Sequence, residues 1–424
     1  MKVLVVGGGG REHAVIKKLN ENSEIDKIYA LPGNGGYGDE AECIPVAATD
    51  IKGICEFAKK VNPDFAVVTP DDPLVLGCVD ELEKIGVPCF GPEKRGAIIE
   101  GSKIFSKNLM KKYGIPTAEY KVFTEAEKAM EYVKNCPLPT VIKADGLALG
   151  KGVIIAETRE EAFDAVKSMM LNEKFGESGT KIVIEEFLKG PEITVLSFTD
   201  GKTVVPMISS MDHKRALDND KGLNTGGMGT IAPNPYYTED VAKEAMEKIF
   251  IPTIEAMNKE NRTFKGCLYF GLMLTDKGPK VIEYNCRFGD PEAQVVLPLL
   301  KTDLFTIMKA VREERLEEIE IEFEEKSACC VILASKGYPV KYEKGFPITL
   351  PENKDGIFIA GAALKNGELV TNGGRVLGVT ETGDTLEEAI KKAYKKTEEI
   401  DFEGAFKRTD IGAKALKAIG GNNG

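Results

Sequence analysis

The stretch Val281-Ile-Glu-Tyr-Asn-Cys-Arg-Phe-Gly-Asp-Pro-Glu292 brings together residue types suited to phosphate chemistry. Side chains on a strand alternate with a period of two, so Glu283, Asn285 and Arg287 share one face. Two hard oxygen donors beside an arginine suit a Mg²⁺ ion that bridges phosphates, since this ion combines protein and substrate oxygens. Asp290-Pro291-Glu292 reads as the N-cap, first-turn proline and early acid of a following helix, which gives Asp290 a structural role. The alternative for Glu283 and Asn285 is a solvated strand face. The apolar Val281, Ile282 and Tyr284 around them, and the glycine turn after them, weigh against it.

A second stretch, Val141-Ile-Lys-Ala-Asp-Gly-Leu-Ala-Leu-Gly-Lys-Gly-Val153, runs from a strand into a glycine-rich loop. Lys143 and Lys151 can reach phosphates from it, while the backbone around Gly150 and Gly152 covers them. The spacing is not that of a P-loop: three residues rather than four separate Gly146 from Gly150, and Gly152 replaces the hydroxyl residue. Ile184-Glu-Glu-Phe-Leu-Lys-Gly-Pro-Glu192 is a weaker signal, a strand ending in an acidic turn.

The chain also opens with an apolar strand followed by Gly7-Gly-Gly-Gly10 and a helix. Exposed amides at a helix N-terminus favour an anion. The run does not satisfy Gly-x-Gly-x-x-Gly, because the last position falls on Glu12 or His13. Ala30-Leu31-Pro32-Gly33 lacks the acid that a dinucleotide would need at the end of the second strand, which disfavours a dehydrogenase. The two histidines, His13 and His213, read as core or surface residues rather than general bases.

These residues need elements to hold them. Strands at 3–6, 27–31, 65–69 and 87–90 alternate with helices at 11–20, 51–61 and 74–86, which predicts a doubly wound parallel sheet. Its ligand crevice lies beyond the strand ends, at Gly7 to Gly10 and at Thr69-Pro-Asp-Asp-Pro73. Strands at 140–143, 152–156, 181–185 and 193–198 suggest one small sheet under a helix at 159–171. Another pair lies at 266–274 and 280–285. Residues 211–235 show little periodicity and many charges and glycines, as a long functional loop would. The last hundred residues supply strands at 328–334, 357–360 and 375–380, then a capping box at Thr385-Leu-Glu-Glu388 that opens a helix to about residue 400.

With 424 residues the chain predicts about three domains. A net charge of −11 argues against a nucleic-acid or anionic-membrane partner, and no apolar run reaches the ~20 residues of a membrane span. The nine cysteines form no Cys-x-x-Cys pair and read as small buried hydrophobes, so zinc and redox chemistry are not expected. No targeting segment is evident, and the cytoplasm is the expected compartment.

Gly101-Ser-Lys103, Val141-Ile-Lys143, the loop 146–152, Glu185-Glu-Phe-Leu188 and Glu283-Tyr-Asn285 resemble the ATP-grasp enzymes. With Gly7 to Ala14, Asp212-His-Lys-Arg215, Asn224-Thr-Gly-Gly-Met-Gly229 and Asn285 to Glu292, nearly the whole chain resembles the phosphoribosylamine–glycine ligases of purine biosynthesis. The resemblance implies an α/β chain with a pre-ATP-grasp parallel-sheet domain (1–101) and an ATP-grasp α+β domain (102–325). A mobile lid (about 121–190) and a small C-terminal α/β domain (326–424) complete it. It implies that glycine is activated by ATP as glycyl phosphate and captured by 5-phosphoribosylamine. A monomer is expected, as is transient contact with the enzyme that makes the unstable amine.

By this resemblance Lys103 and Lys143 contact ATP phosphates, with Lys107 as the substitute for Lys103, under a lid that includes Gly150, Lys151 and Gly152. Glu185, Glu186, Phe187 and the Leu188 backbone meet the adenine, and Glu192 the ribose. Glu283 and Asn285 carry Mg²⁺ or Mn²⁺. Arg287, Asp212 and Lys214 are the catalytic candidates: Arg287 for glycine carboxylate or the moving phosphoryl group, Asp212 for the glycine ammonium. Arg215 joins Lys214 as a candidate for the anionic substrates, and Asn224 to Gly229, with Gly226 and Gly227, close over the reacting atoms. Gly8, Gly9 and Gly10 take the 5-phosphate of phosphoribosylamine, with Asp71 and Asp72 near its ribose. One departure stands out: Met273 falls where many ATP-grasp enzymes place a further acidic ligand, and a thioether is a poor Mg²⁺ ligand.

Overall fold

A computed structural model describes residues 1–147, 152–171 and 180–421. The first hundred residues form a parallel sheet from β1 (Lys2–Gly7), β2 (Lys27–Pro32), β3 (Glu42–Cys43), β4 (Phe65–Val68) and β5 (Cys89–Phe90), in the order β3-β2-β1-β4-β5. Helices cover both faces of β1 and β4, which explains their unbroken Val, Leu and Ala runs. The strand order reverses between β1 and β4, so the glycine turn and the Asp71–Asp72 turn leave the sheet side by side. The helix expected at 74–86 is two helices, Asp71–Leu76 and Cys78–Lys84. Gly77 parts them with φ +95°, a conformation that glycine tolerates best.

The next strands, β6 (Tyr120–Phe123), β7 (Thr140–Ala144), β8 (Val153–Ala156) and β9 (Ile182–Glu186), form an antiparallel sheet in the order β6-β9-β7-β8. Helix Arg159–Met170 packs on this sheet, opened by a capping box between Thr158 and Glu161.

Residues 192–232 supply β10 (Glu192–Thr199), β11 (Val204–Pro206), β12 (Met211–Asp212), β13 (Arg215–Leu217), β14 (Lys221–Asn224) and β15 (Gly229–Ala232). The strand expected at 193–198 therefore does not join the small sheet. As β10 it pairs with β11 and with β16 (Gly266–Thr275), and β17 (Gly278–Asn285) completes the order β11-β10-β16-β17. The stretch read as a long loop holds the β13–β14 hairpin between two short strands, β12 and β15, that pair with each other. Segments of two to four residues are too short to show a hydrophobic period.

The remaining strands are β18 (Ser327–Ser335), β19 (Ile357–Ile359), β20 (Ala362–Lys365), β21 (Glu368–Thr371), β22 (Arg375–Gly383) and β23 (Ala405–Phe406). A sheet of order β12-β15-β18-β22-β19, with β23 on β18, draws its first two strands from the central region. Thr385 caps the helix Leu386–Thr397 by accepting from Glu388 N at 3.2 Å. One apolar core runs from Val3 and Val5 through Leu196 and Phe198 to Ala328 and Cys330, fastening the three sheets to one another. Seven of the nine cysteines are buried and all nine are free; Cys43 is exposed.

Candidate active site

The cleft is built where the end of β17 meets the lid sheet, the glycine turn and the 211–229 region. On the lid side, Lys143 of β7 lies 2.9 Å from Glu185 Oε1 and donates to Ile282 O at 3.1 Å. Lys107 approaches the same carboxylate from the other side, 2.7 Å from Oε2, and donates to Thr117 Oγ1 at 2.8 Å. Burial pulls the Lys107 ammonium down to about 8 even though Glu185 supports its charge. Lys103 reaches Gly146 O at 2.7 Å. That contact follows from capping: Asp145 accepts from Ile104 N and Ser102 Oγ, both at 3.0 Å, and so brings the glycine loop onto the start of helix Lys103–Tyr113. Gly152 is buried and its carbonyl accepts from Ala144 N at 2.9 Å. Gly150 and Lys151 lie outside the described residues.

At the centre, burial favours the neutral Glu283 carboxyl, but Lys214, Lys143, Lys103 and Arg287 together hold it below the ordinary range. Lys214 lies 3.4 Å from Glu192 Oε2 and 3.8 Å from Glu283 Oε1, and Glu192 leads in raising its pKa. Arg287 donates to Phe288 O at 3.1 Å and lies 3.5 Å from Asn285 Oδ1, so Glu283, Asn285 and Arg287 form one continuous edge. An ionised carboxylate and an amide oxygen among four cations suit a divalent ion that also takes phosphate oxygens. The residue opposite Glu283 on β16 is Gly271; Met273 pairs with Glu192 and Lys280. Met273 is therefore not the direct cross-strand partner of Glu283. A bulge between Gly271 and Leu272 shifts the register, which sequence spacing does not reveal.

Asp212 sits beside the buried Glu292; burial and that neighbour raise its pKa well above the ordinary value. Gly227 has φ +116°, and a Cβ there would come within 2.7 Å of Asp212 Oδ1. Asn224 pairs with Arg215 across the β13–β14 hairpin. Arg215 donates to Gly222 O at 2.9 Å, so its guanidinium closes its own hairpin. Glu186 accepts from Lys280 at 3.1 Å on the exposed side of the lid, while Phe187 and Leu188 follow half-buried.

The glycine turn meets the same edge from the N-terminal sheet. Arg11 and Arg287 both donate to Phe288 O, at 3.2 and 3.1 Å. Glu12 accepts from Gly9 N at 2.6 Å and lies 2.7 Å from Arg11 Nε, so one nest amide already carries a carboxylate. Gly8 and Gly10 are closely packed: a Cβ would strike Gly33 O at 2.4 Å or Gln294 Nε2 at 2.7 Å. Burial favours the neutral Asp71 carboxyl, but Arg287 and Arg11 hold it below the usual range, whereas burial and Asp71 raise Asp72.

Asp290 is not a helix cap. The short helix starts at Ala293, and the Asp290 carboxylate accepts from Gln294 Nε2 at 2.9 Å and lies 3.4 Å from Arg375 NH1. Arg375, unmarked by any local motif, also donates to Gly226 O and Asp290 O, each at 2.8 Å. Both histidines are buried: His13 accepts from Ile359 N at 2.8 Å, and His213 accepts from Gly412 N at 3.1 Å. Burial pulls the His213 imidazole down to about 4, which suits a neutral structural residue.

Residues 1–100, 101–293 and 328–414 match, in turn, the N domain, the ATP-grasp (A) domain and the C domain of phosphoribosylglycinamide synthetase. The chain belongs to the phosphoribosylglycinamide synthetase family. It is 49% identical to the phosphoribosylamine–glycine ligase of Clostridium acetobutylicum, over 97% of this chain and 99% of that one. It is 48% identical to that of Caldanaerobacter subterraneus subsp. tengcongensis, over 97% and 100%. The crystal structure of the phosphoribosylamine–glycine ligase of Thermotoga maritima superposes with a TM-score of 0.86 at 37% identity, covering 97% of this chain and all of that one. A biotin carboxylase domain from Hydrogenobacter thermophilus shares the fold at TM-score 0.72 and 18% identity. The three-domain architecture of this synthetase family, with its central ATP-grasp fold, is that of an ATP-dependent ligase using a divalent metal.

Proposed function

We propose that the chain joins glycine to 5-phosphoribosylamine through glycyl phosphate, giving glycinamide ribonucleotide, ADP and phosphate, in the cleft described above. The observation that carries this reading is the convergence of Lys103, Lys143 and Lys214 on Glu283, with Arg287 beyond Asn285. Phosphoryl transfer needs in-line positioning and charge neutralisation more than covalent help. A carboxylate resists amine attack because oxide would have to leave; phosphorylation provides a better leaving group.

Lys103 and Lys143 bind ATP phosphates, Glu185 to Leu188 hold the adenine, and Glu192 the ribose. Glu283 and Asn285 hold the metal, which we assign as Mg²⁺ or Mn²⁺ and which supplies charge neutralisation at phosphate oxygens when bound. Arg287 anchors the glycine carboxylate, and the crowded acids Asp212 and Glu292 accept its ammonium. Lys214 balances charge on the moving phosphoryl group. The amine of phosphoribosylamine is already nucleophilic, so no histidine base is required. Gly8 and Gly10 line the site of its 5-phosphate, with Arg11 nearby, and Asp71 and Asp72 face its ribose; Gly9 acts through Glu12. Gly226 and Gly227 close the cleft and exclude water from the acyl phosphate.

We further assign domain limits at 1–101, 102–325 and 326–424, a lid at 121–190, a monomeric state, a cytoplasmic location and transient contact with the amine-producing enzyme. The nine free cysteines fit that compartment. Among the described residues no helix is long and apolar enough to cross a membrane.

Glycine labelled with heavy oxygen in its carboxylate tests the intermediate. The released phosphate should carry one labelled oxygen per turnover; unlabelled phosphate would rule out an acyl phosphate.

A further inference from the structure

Glu100 is buried near the end of helix Lys94–Gly101, with 8% of its surface exposed. Both carboxylate oxygens face the segment that follows β17. Oε2 accepts from Cys286 N at 2.7 Å, and Oε1 lies 3.2 Å from Arg287 NH2. Burial, helped by Asp71, raises its pKa above the ordinary value, although Arg287 and the Cys286 hydrogen bond favour the ionised form. A carboxylate so close to the phosphate-binding edge works against anion binding by its charge alone. Its use must lie in what it does to Arg287.

The guanidinium is planar and its donors form a fixed fork, so holding one side orients the rest. Phe288 O takes NH1, while Asn285 Oδ1 and Glu100 face NH2 at 3.5 and 3.2 Å. The Nε–H is buried and has no hydrogen-bond partner among the described residues. Asp71 attracts the same guanidinium from the ribose side of the cleft. Glu100 therefore opposes a swing toward Asp71, while the Nε–H and the second N–H of NH1 stay uncommitted among the described residues.

We propose that Glu100 is a positioning residue that locks Arg287 for the glycine carboxylate; this rests on the reading of Arg287 given above. An arginine fixed beforehand loses no rotamer freedom on binding and keeps the carboxylate in line with the phosphoryl group.

The test uses the full chain with Glu100→Gln, Glu100→Asp, Arg287→Lys and the Glu100→Gln/Arg287→Lys double variant. Kinetics with glycine and with ATP are measured separately, alongside thermal unfolding. Glu100→Gln should lower kcat/KM for glycine by roughly ten- to a hundredfold, as expected for a displaced anchor, and leave the KM for ATP within about twofold. Arg287→Lys should show the same glycine-side loss, and the double variant should be little worse than either single one. Glu100→Asp keeps the charge but draws the carboxylate back by one methylene. It should share the glycine defect and carries the test if Glu100→Gln does not fold. Wild-type glycine kinetics in the Glu100 variants beside an impaired Arg287→Lys would overturn the role of Glu100 and leave that of Arg287 standing. Wild-type glycine kinetics in Arg287→Lys would overturn the Arg287 reading and this inference with it. Parallel losses for glycine and ATP with a lowered melting temperature would mark Glu100 as a general fold residue and also overturn it.

Discussion

Glu283 is the carboxylate on which the cations converge, and its ionised state depends on Lys214, Lys143, Lys103 and Arg287. Glu283→Ala should remove metal-dependent turnover and weaken Mn²⁺ binding in the ATP complex, read by electron paramagnetic resonance. Wild-type Mn²⁺ affinity would place the metal elsewhere. At the glycine turn, Gly9 tests a different substrate. A Cβ there would lie 2.8 Å from Glu12 Oε2 and 3.5 Å from Asp290 Oδ2, with no backbone in the way. Gly9→Ala should thus fold, push the Glu12 carboxylate from its amide, and raise the KM for phosphoribosylamine several-fold while sparing that for ATP. The reverse pattern would detach the turn from this substrate. Glu283 and Asn285 were legible in the sequence because a strand repeats every two residues, whereas Arg287 lies beyond the end of β17 and meets Asn285 through its guanidinium. Glu12 was not legible, because the usual capping box starts from a serine or threonine, and here a glycine amide alone receives the carboxylate. Glu100 and Arg375 were invisible for another reason. Their contacts span 186 and 149 residues and leave no spacing signature.

At the scale of elements, the β13–β14 hairpin carries Lys214 at its base and is held from the far end of the chain. Arg408, with 1% of its side chain exposed, donates to Arg215 O at 3.1 Å and Asp220 Oδ1 at 3.0 Å. It also grips Asp410 through two bonds of 2.7 and 2.9 Å, and Lys414 pairs with Asp220. Removing the buried guanidinium takes charge-assisted hydrogen bonds from Arg215 O and from the half-buried Asp220 and Asp410, so Arg408→Ala should cost ~1.5–3 kcal/mol by denaturant unfolding. A change below ~1 kcal/mol, the range of an exposed pair, would contradict the clasp. Burial raises the Asp410 carboxyl, but Arg408 and the Asn219 amide more than offset it and bring it down to about 2. A carboxyl whose folded pKa lies below its unfolded value, ~3.9, stabilises above that value and loses the contribution as pH falls through the folded one. The clasp should therefore loosen between about pH 4 and 2, with amide exchange in 215–224 rising before global unfolding. This region read as a loop because strands of three and four residues display neither a period nor a long apolar run, whereas β17 shows the first and β1 and β16 the second.

Across the whole molecule, three sheets close on one cleft. The parallel sheet brings the glycine and Asp71–Asp72 turns, the lid sheet brings Lys143 and Glu185, and the central sheet brings Glu283 and Asn285. The C-terminal sheet incorporates β12 and β15 and thus supports Asp212 directly. Alternation of strand and helix made the parallel sheet legible. The division of the central strands between two sheets was not, because pairing partners lie more than sixty residues apart, as in the pairing of Ile193 with Leu272. In the proposed function, one cleft couples ATP cleavage to glycine activation and capture by the amine. Phosphate release from ATP, measured with freshly generated phosphoribosylamine, tests it most directly. Release should require both glycine and the amine and fall to background when alanine replaces glycine. Equal release with alanine, or none with glycine and the amine together, would contradict it.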